Sequence, residues 1–224
     1  MVLQRSRLMV GLASLCFFIL IMALVFSGVT QGIDTSLAIA INTANLGDAL
    51  TSIMLFFTVY GREYFWIPVV AIMLIFGNRE TKFLAIELSV LFILGIVFGE
   101  ALKILVFRER PYHLISGIVL RGAGDVDSSF PSGHAIIVAI GAVFSLIKIK
   151  KRAIGLVLTF EAAVVCYSRV YTGLHYPLDV LAGIVLAVAI VELGLFVMER
   201  YLSRQLTMLS ALVVRILRDG PLRL

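Results

Sequence analysis

Charge is what this sequence has least of. Only 15% of its 224 residues are Asp, Glu, Lys or Arg, 61% are hydrophobic, and mean hydropathy is +1.06. A soluble domain carries about 25% charged and about 45–50% apolar residues, so the excess is too large for one water-excluded core. Cysteine is scarce as well: Cys16 and Cys166 both lie in apolar runs, and neither has a partner at metal-ligand spacing. Two cysteines build no disulfide framework, and these read as buried free thiols. Internal repeats, low-complexity tracts and a separate soluble domain are absent from the sequence. These deficits exclude disordered, collagen-like and disulfide-scaffold classes. They leave an integral membrane protein.

What is there is a series of long apolar runs. A spanning helix needs about 20 apolar residues, and six candidates fit: 8–26, 62–77, 83–107, 133–149, 153–167 and 177–198. The expected fold is an all-α bundle of six transmembrane helices over 1–199, followed by a tail at 200–224. The second span is the short one, and the apolar stretch from Leu50 is a possible extension of it. Between the first two spans, Ile33 to Tyr60 is apolar but broken by Asp34, Asn42, Asn45 and Asp48, which predicts an interfacial or re-entrant segment. The first run exceeds a signal-peptide core and no small-x-small cleavage site follows it, so it is read as a retained helix. In the tail, Leu202, Leu206, Leu209, Val213 and Ile216 recur at steps of three and four, punctuated by arginines. That pattern predicts a basic amphipathic helix on a membrane surface, or one packed against protein.

The net charge of +5 would suit nucleic acid, but its placement argues for a membrane. With both termini cytoplasmic, thirteen of the nineteen Lys and Arg residues fall on the cytoplasmic side, most densely at Lys148 to Arg152. This bias predicts an N-in, C-in topology in a cell membrane, and no nucleic-acid partner. The other six are Arg62, Lys103, Arg108, Arg110, Arg121 and Arg169.

Three clusters meet on the predicted outer face. They are Lys103 with Arg110-Pro111; Pro131-Ser132-Gly133-His134; and Ser168-Arg169 followed by His175 and Asp179. Two of the chain's three histidines are among them. Charge at membrane depth is costly and marks function. Lys103 is a compact ammonium and Arg110 a planar fork, both suited to phosphate oxygens. Ser132 and Gly133 open a helix whose free N–H groups attract an anion. His175 and Asp179, four apart, share a helical face. The carboxylate could fix one imidazole tautomer and leave the other nitrogen to attack.

Together these motifs resemble the three-part signature of the type 2 phosphatidic acid phosphatase family, integral-membrane lipid phosphatases related to the vanadium haloperoxidases. The motifs run from Lys103 to Asp179 with every signature position filled. The resemblance implies that His175 attacks phosphorus to form a phosphohistidine, that Asp179 orients it, and that His134 serves as acid and then base. It further implies that Lys103, Arg110, Ser132, Gly133 and Arg169 hold the phosphoryl oxygens. No metal and no cofactor are expected. The expected substrate is a lipid phosphate entering laterally at the outer leaflet: polyprenyl diphosphate, phosphatidylglycerol phosphate or phosphatidic acid.

Other polar residues have plainer readings. Asp125 and Asp127 lack further ligands for a metal and read as loop polarity, as do Tyr112, His113 and Arg121. Glu100, three before Lys103, is placed to pair with it. Glu87, Glu161 and Glu192 lie within spans, where a structural role is favoured over an ion path. Those carboxylates are the one feature behind a competing class, an ion-coupled transporter. A catalytically idle lipid-binding relative is a third class, and the intact His134, His175 and Asp179 speak against it.

Overall fold

The computed structural model describes residues 2–202, 205–209 and 211–212. The helices that build the bundle are α1 (Val2–Phe26), α2 (Gln31–Asn42), α3 (Gly47–Tyr60), α4 (Glu63–Phe76), α5 (Arg79–Leu105), α6 (Pro111–Leu114), α7 (Gly133–Lys148), α8 (Arg152–Tyr171) and α9 (Pro177–Val197). A π-helical turn, Met198–Leu202, extends α9. No strand occurs among the described residues.

Four helices are long and apolar enough to cross a membrane: Gln4–Phe26, Arg79–Leu105, Arg152–Tyr171 and Pro177–Leu202. A fifth crossing is available if α3 and α4, bent by 57° at Gly61-Arg62, count as one broken span. The sequence places the second span from Arg62 and an interfacial or re-entrant segment before it; α3 and α4, meeting at this bend, form either a broken span or a re-entrant loop. Gly61 makes that corner possible, because a Cβ there would lie 2.3 Å from the Val165 side chain of α8. α7, at 16 residues, is the short apolar helix, about 24 Å long at 1.5 Å per residue.

α7 sits innermost, packed on α5, α8 and α9, while α1 lies along α9. Nearly every residue of α7 from Ala135 to Ser145 is buried, whereas α1 and α4 present Met9, Phe17, Ile67 and Phe76 outward. Apolar side chains thus fill the centre and also coat the outside, as a lipid solvent requires. Close approach is built on small residues. At Gly183 a Cβ would lie 2.8 Å from the Ser132 carbonyl oxygen, and this contact seats α9 against the start of α7.

Polar groups at one end of the bundle tie the helices together. Arg7 of α1 reaches Glu192 of α9 at 3.1 Å and Glu199 at 3.3 Å, and Lys148 of α7 reaches Glu87 of α5 at 3.1 Å and Glu199 at 3.3 Å. Two of the three carboxylates noted within spans therefore sit in interhelical ion pairs. Glu161 accepts no hydrogen bond from any described residue. The tail expected to be amphipathic lies mostly outside the described residues; 205–209 and 211–212 are helical, with Leu206 buried.

Candidate active site

At the opposite ends of these helices, the C-termini of α5 and α8 meet the N-termini of α7 and α9. Lys103 is in the last turn of α5 and Arg169 in the last turn of α8. Ser132 caps α7, its Oγ accepting from the Ala135 N–H at 3.4 Å. Pro177 opens α9, where the Asp179 carboxylate accepts from the Tyr176 N–H at 2.9 Å. The Ser132 N–H donates to the Asp179 carbonyl at 3.0 Å and locks the two helix starts together. All three motifs, separated by up to 76 residues in sequence, close on one locus.

His175 is buried at its centre. Nδ1 lies 2.8 Å from the Ser129 carbonyl oxygen, and Nε2 lies 3.4 Å from Arg110 Nη1. A carbonyl only accepts, so the proton belongs on Nδ1 and Nε2 carries the free lone pair. Sequence spacing pointed to Asp179 as the group holding the ring; its carboxylate is 3.8 Å from Nδ1. Asp179 is engaged by Ser129 Oγ at 2.5 Å, by the Tyr176 N–H and by Arg108. Burial and the charges of Arg169, Arg110 and Lys103 hold the His175 imidazole well below the usual histidine range. The ring is therefore neutral at neutral pH.

Three cations surround this ring. Lys103 pairs with Asp127 and lies 3.5 Å from Glu100. Arg110 pairs with Asp127, reaches Asp125 at 3.3 Å and donates to the Leu174 carbonyl at 2.9 Å. Arg169 pairs with Asp125 at 3.0 Å and donates to Thr58 Oγ1 at 3.0 Å. Asp125 and Asp127 are thus far more than loop polarity: two partly exposed carboxylates lie against all three expected phosphate-binding cations. Burial opposes ionisation of Asp127, but Lys103 and Arg110 outweigh it and bring its pKa down to about 2. Of the loop residues, Tyr112 donates to the Asp125 carbonyl at 2.7 Å, Arg121 donates to the Tyr171 carbonyl at 3.0 Å, and His113 pairs with Glu109 at the surface.

Gly133 and His134 begin α7 beside the cations. A Cβ on Gly133 would lie 3.3 Å from Arg62 Nη1 and 3.7 Å from Lys103 Nζ, so both cations border the bare backbone there. His134 is within electrostatic range of Arg169, Arg62, His175 and Lys103. The eight residues expected to act on phosphate, Lys103, Arg110, Ser132, Gly133, His134, Arg169, His175 and Asp179, therefore lie in or beside one cluster. Among the described residues, no three His, Cys, Asp or Glu side chains gather as metal ligands.

Sequence reasoning missed the support behind the cluster. Arg108 bridges Asp179 and Asp34, the latter at 2.7 Å, and stacks 3.9 Å from the centre of the Tyr176 ring. Burial opposes its charge, but the Asp179 and Asp34 carboxylates hold it protonated. Asp34 also accepts from the Leu178 N–H at 3.0 Å, at the start of α9. Asn42 clamps the Tyr171 and Val119 carbonyls at 2.8 and 2.9 Å. Asp34 and Asn42, which the sequence places in an interfacial or re-entrant segment, are thus buried against the site. An acidic residue in an apolar stretch was the available signal.

Residues 84–201 match the PAP2 superfamily. The chain belongs to the PAP2 superfamily. An undecaprenyl-diphosphatase of Sulfolobus acidocaldarius is 42% identical over 134 residues, 60% of this chain and 64% of that protein. The alignment thus spans less than two thirds of the Sulfolobus relative. The undecaprenyl-diphosphatase BcrC of Bacillus subtilis is 32% identical over 146 residues, covering 63% of this chain and 71% of the relative. In fold, the chain resembles the crystal structure of a PAP2-type phosphatidylglycerolphosphate phosphatase from Bacillus subtilis. That match has a TM-score of 0.68 at 21% identity and covers 85% of this chain and 96% of the other. The PAP2 match contains all three motifs, from Lys103 through Asp179.

Proposed function

We propose that this PAP2 protein is a membrane lipid phosphatase that hydrolyses a polyprenyl diphosphate through a phosphohistidine on His175. The observation that carries the reading is the buried, neutral His175. Its Nδ1 is engaged by a carbonyl and its Nε2 faces Arg110 within a ring of cations. Nε2 attacks the terminal phosphorus, and the P–O bond to the leaving group breaks. His134 protonates the departing oxygen; it then takes a proton from water, which attacks phosphorus, breaks the P–N bond to His175 Nε2 and releases inorganic phosphate. Lys103, Arg110, Arg169, Ser132 and the Gly133 N–H hold the oxygens as charge grows on them. The names of the Sulfolobus and Bacillus relatives favour a polyprenyl diphosphate over the other lipid phosphates.

The lipid enters laterally. An apolar groove of about 470 Å³ between α4 and α5 is lined by Trp66, Val70, Leu74, Phe92 and Ile96, and it ends at Arg62 and Gly133. A prenyl chain in this groove would deliver its phosphate to the cations. Six crossings, counting α3 with α4 as one and α7 as another, put the site outside when Lys148 to Arg152 is cytoplasmic. The site then works at the outer leaflet of the cell membrane. A transporter has only the intramembrane carboxylates behind it, and Glu87 and Glu192 are engaged in ion pairs.

The test is phosphate release from a panel of lipid phosphates by the purified protein in detergent without added metal. Release that is greatest from the prenyl diphosphate, and abolished by His175→Ala, is expected. Solute movement in liposomes with no phosphate release from any lipid would overturn the reading.

A further inference from the structure

Arg62 is a cation beside the start of α7 that none of the three motifs contains. It occupies the corner between α3 and α4, at the end of the apolar groove and against the start of α7. Its Nη1 and Lys103 Nζ would lie 3.3 and 3.7 Å from a Cβ on Gly133, so both border that residue. Its ion pair is with Glu63, the next residue, which is half exposed, and Arg62 Nε is buried without a hydrogen-bond partner. Lys103, Arg110 and Arg169 are covered by Asp125 and Asp127; Arg62 is paired with neither. It also lines the groove that Arg110, Arg169 and His175 do not reach.

Resting on the phosphatase reading above, we propose that Arg62 binds the phosphate that stays on the lipid. It would thereby make the site selective for diphosphates over monophosphates. With the chain in the groove and the terminal phosphorus at His175, the proximal phosphate of a diphosphate must lie between them, at Gly133. When Nε2 bonds to the terminal phosphorus, the bond from that phosphorus to the bridging oxygen breaks. The bridging oxygen leaves on the proximal phosphate and takes the His134 proton. A guanidinium there binds the proximal oxygens in the ground state and offsets the charge that gathers on them as the bond breaks. A lipid monophosphate puts an alcohol oxygen in that place and gives Arg62 no phosphate to hold.

The experiment compares wild type, Arg62→Gln and Arg62→Lys on a prenyl diphosphate and on the monophosphate of the same chain. Arg62→Gln is expected to lower kcat/KM for the diphosphate by roughly 10²-fold and for the monophosphate by less than about threefold, with Arg62→Lys restoring part of the difference. Thermal-shift titrations with pyrophosphate and with phosphate supply a readout independent of turnover: pyrophosphate binding weakens in Arg62→Gln and phosphate binding does not. Equal losses for both anions, or no loss for either, overturn the role of Arg62. Absence of turnover in wild type counts against the phosphatase reading instead, and leaves the anion titrations to decide the residue.

Discussion

His175 Nδ1 lies 2.8 Å from the carbonyl oxygen of Ser129, whereas the nearest Asp179 oxygen is 3.8 Å away. The imidazole is therefore oriented by backbone, and Asp179 acts at one remove, held by Ser129, Tyr176 and Arg108. Where a carboxylate alone fixes the tautomer of a catalytic histidine, its amide variant loses about 10⁴-fold. Asp179→Asn here leaves the carbonyl contact in place. A loss of only about 10²-fold in kcat is expected, well short of His175→Ala, and steady-state kinetics on both variants checks it.

The depressed pKa of His175 has a consequence for the pH profile. A lowered pKa keeps the attacking nitrogen unprotonated as pH falls, so its acid limb in kcat/KM lies below the ordinary histidine value of about 6.5. Among the charges responsible, Arg169 ranks first. Arg169→Gln is expected to reduce activity and also to move that limb upward toward 6.5. Reduced activity with an unmoved limb would mean that burial alone sets the protonation of His175.

Asp125 and Asp127 stand where an anion would. Replacing both with Asn frees Lys103, Arg110 and Arg169, and inorganic phosphate is expected to inhibit the double variant about threefold to tenfold more tightly, read from its inhibition constant. The single Asp127→Asn variant has a stability signature too. A native pKa of about 2, below the ordinary aspartate value of 3.8, means the pairing stabilises fully above about pH 4 and is lost as pH falls toward 2. The gap in thermal midpoint between wild type and Asp127→Asn should be constant above pH 4 and close below it.

Arg108 carries a different kind of prediction. Removing it leaves Asp34 and Asp179, both fully buried, without their shared cation. Breaking a buried pair by deleting one partner costs about 3–5 kcal/mol. Arg108→Ala should therefore unfold at markedly lower temperature in detergent than His175→Ala, whose ring sits beside the same cluster but carries no charge.

The contrast between Arg108 and Arg110 shows how far the sequence could be read. Arg110, Lys103, Arg169, Ser132, Gly133, His134, His175 and Asp179 were legible because each falls at fixed spacing within a motif, and the fold brings all eight to one end of α5, α7, α8 and α9. The long helices were legible because apolar runs of this length have few other uses. Asp34, Asn42, Thr58 and Arg62 were not, because they reach the site from α2 and the α3–α4 corner. For Asp34, Asn42 and Thr58 the contacts are at least 74 residues distant in sequence, and Arg62 borders Gly133 from the corner; none of these carries a periodic signature. The polar residues of the stretch before α4 divide, Asp34 and Asn42 facing protein and Asn45 and Asp48 exposed, and hydropathy cannot separate the two.

The central claim is that His175 becomes covalently phosphorylated during turnover. Rapid quench of wild type with terminally ³²P-labelled polyprenyl diphosphate, followed by peptide mapping under alkaline conditions that preserve phosphohistidine, tests it most directly. Label is predicted on the peptide containing His175, accumulating when His134 is replaced by Asn if water attack slows more than phosphoryl transfer, and absent from His175→Ala. Turnover at the wild-type rate with no label on that peptide, or sustained phosphate release by His175→Ala, would contradict the account.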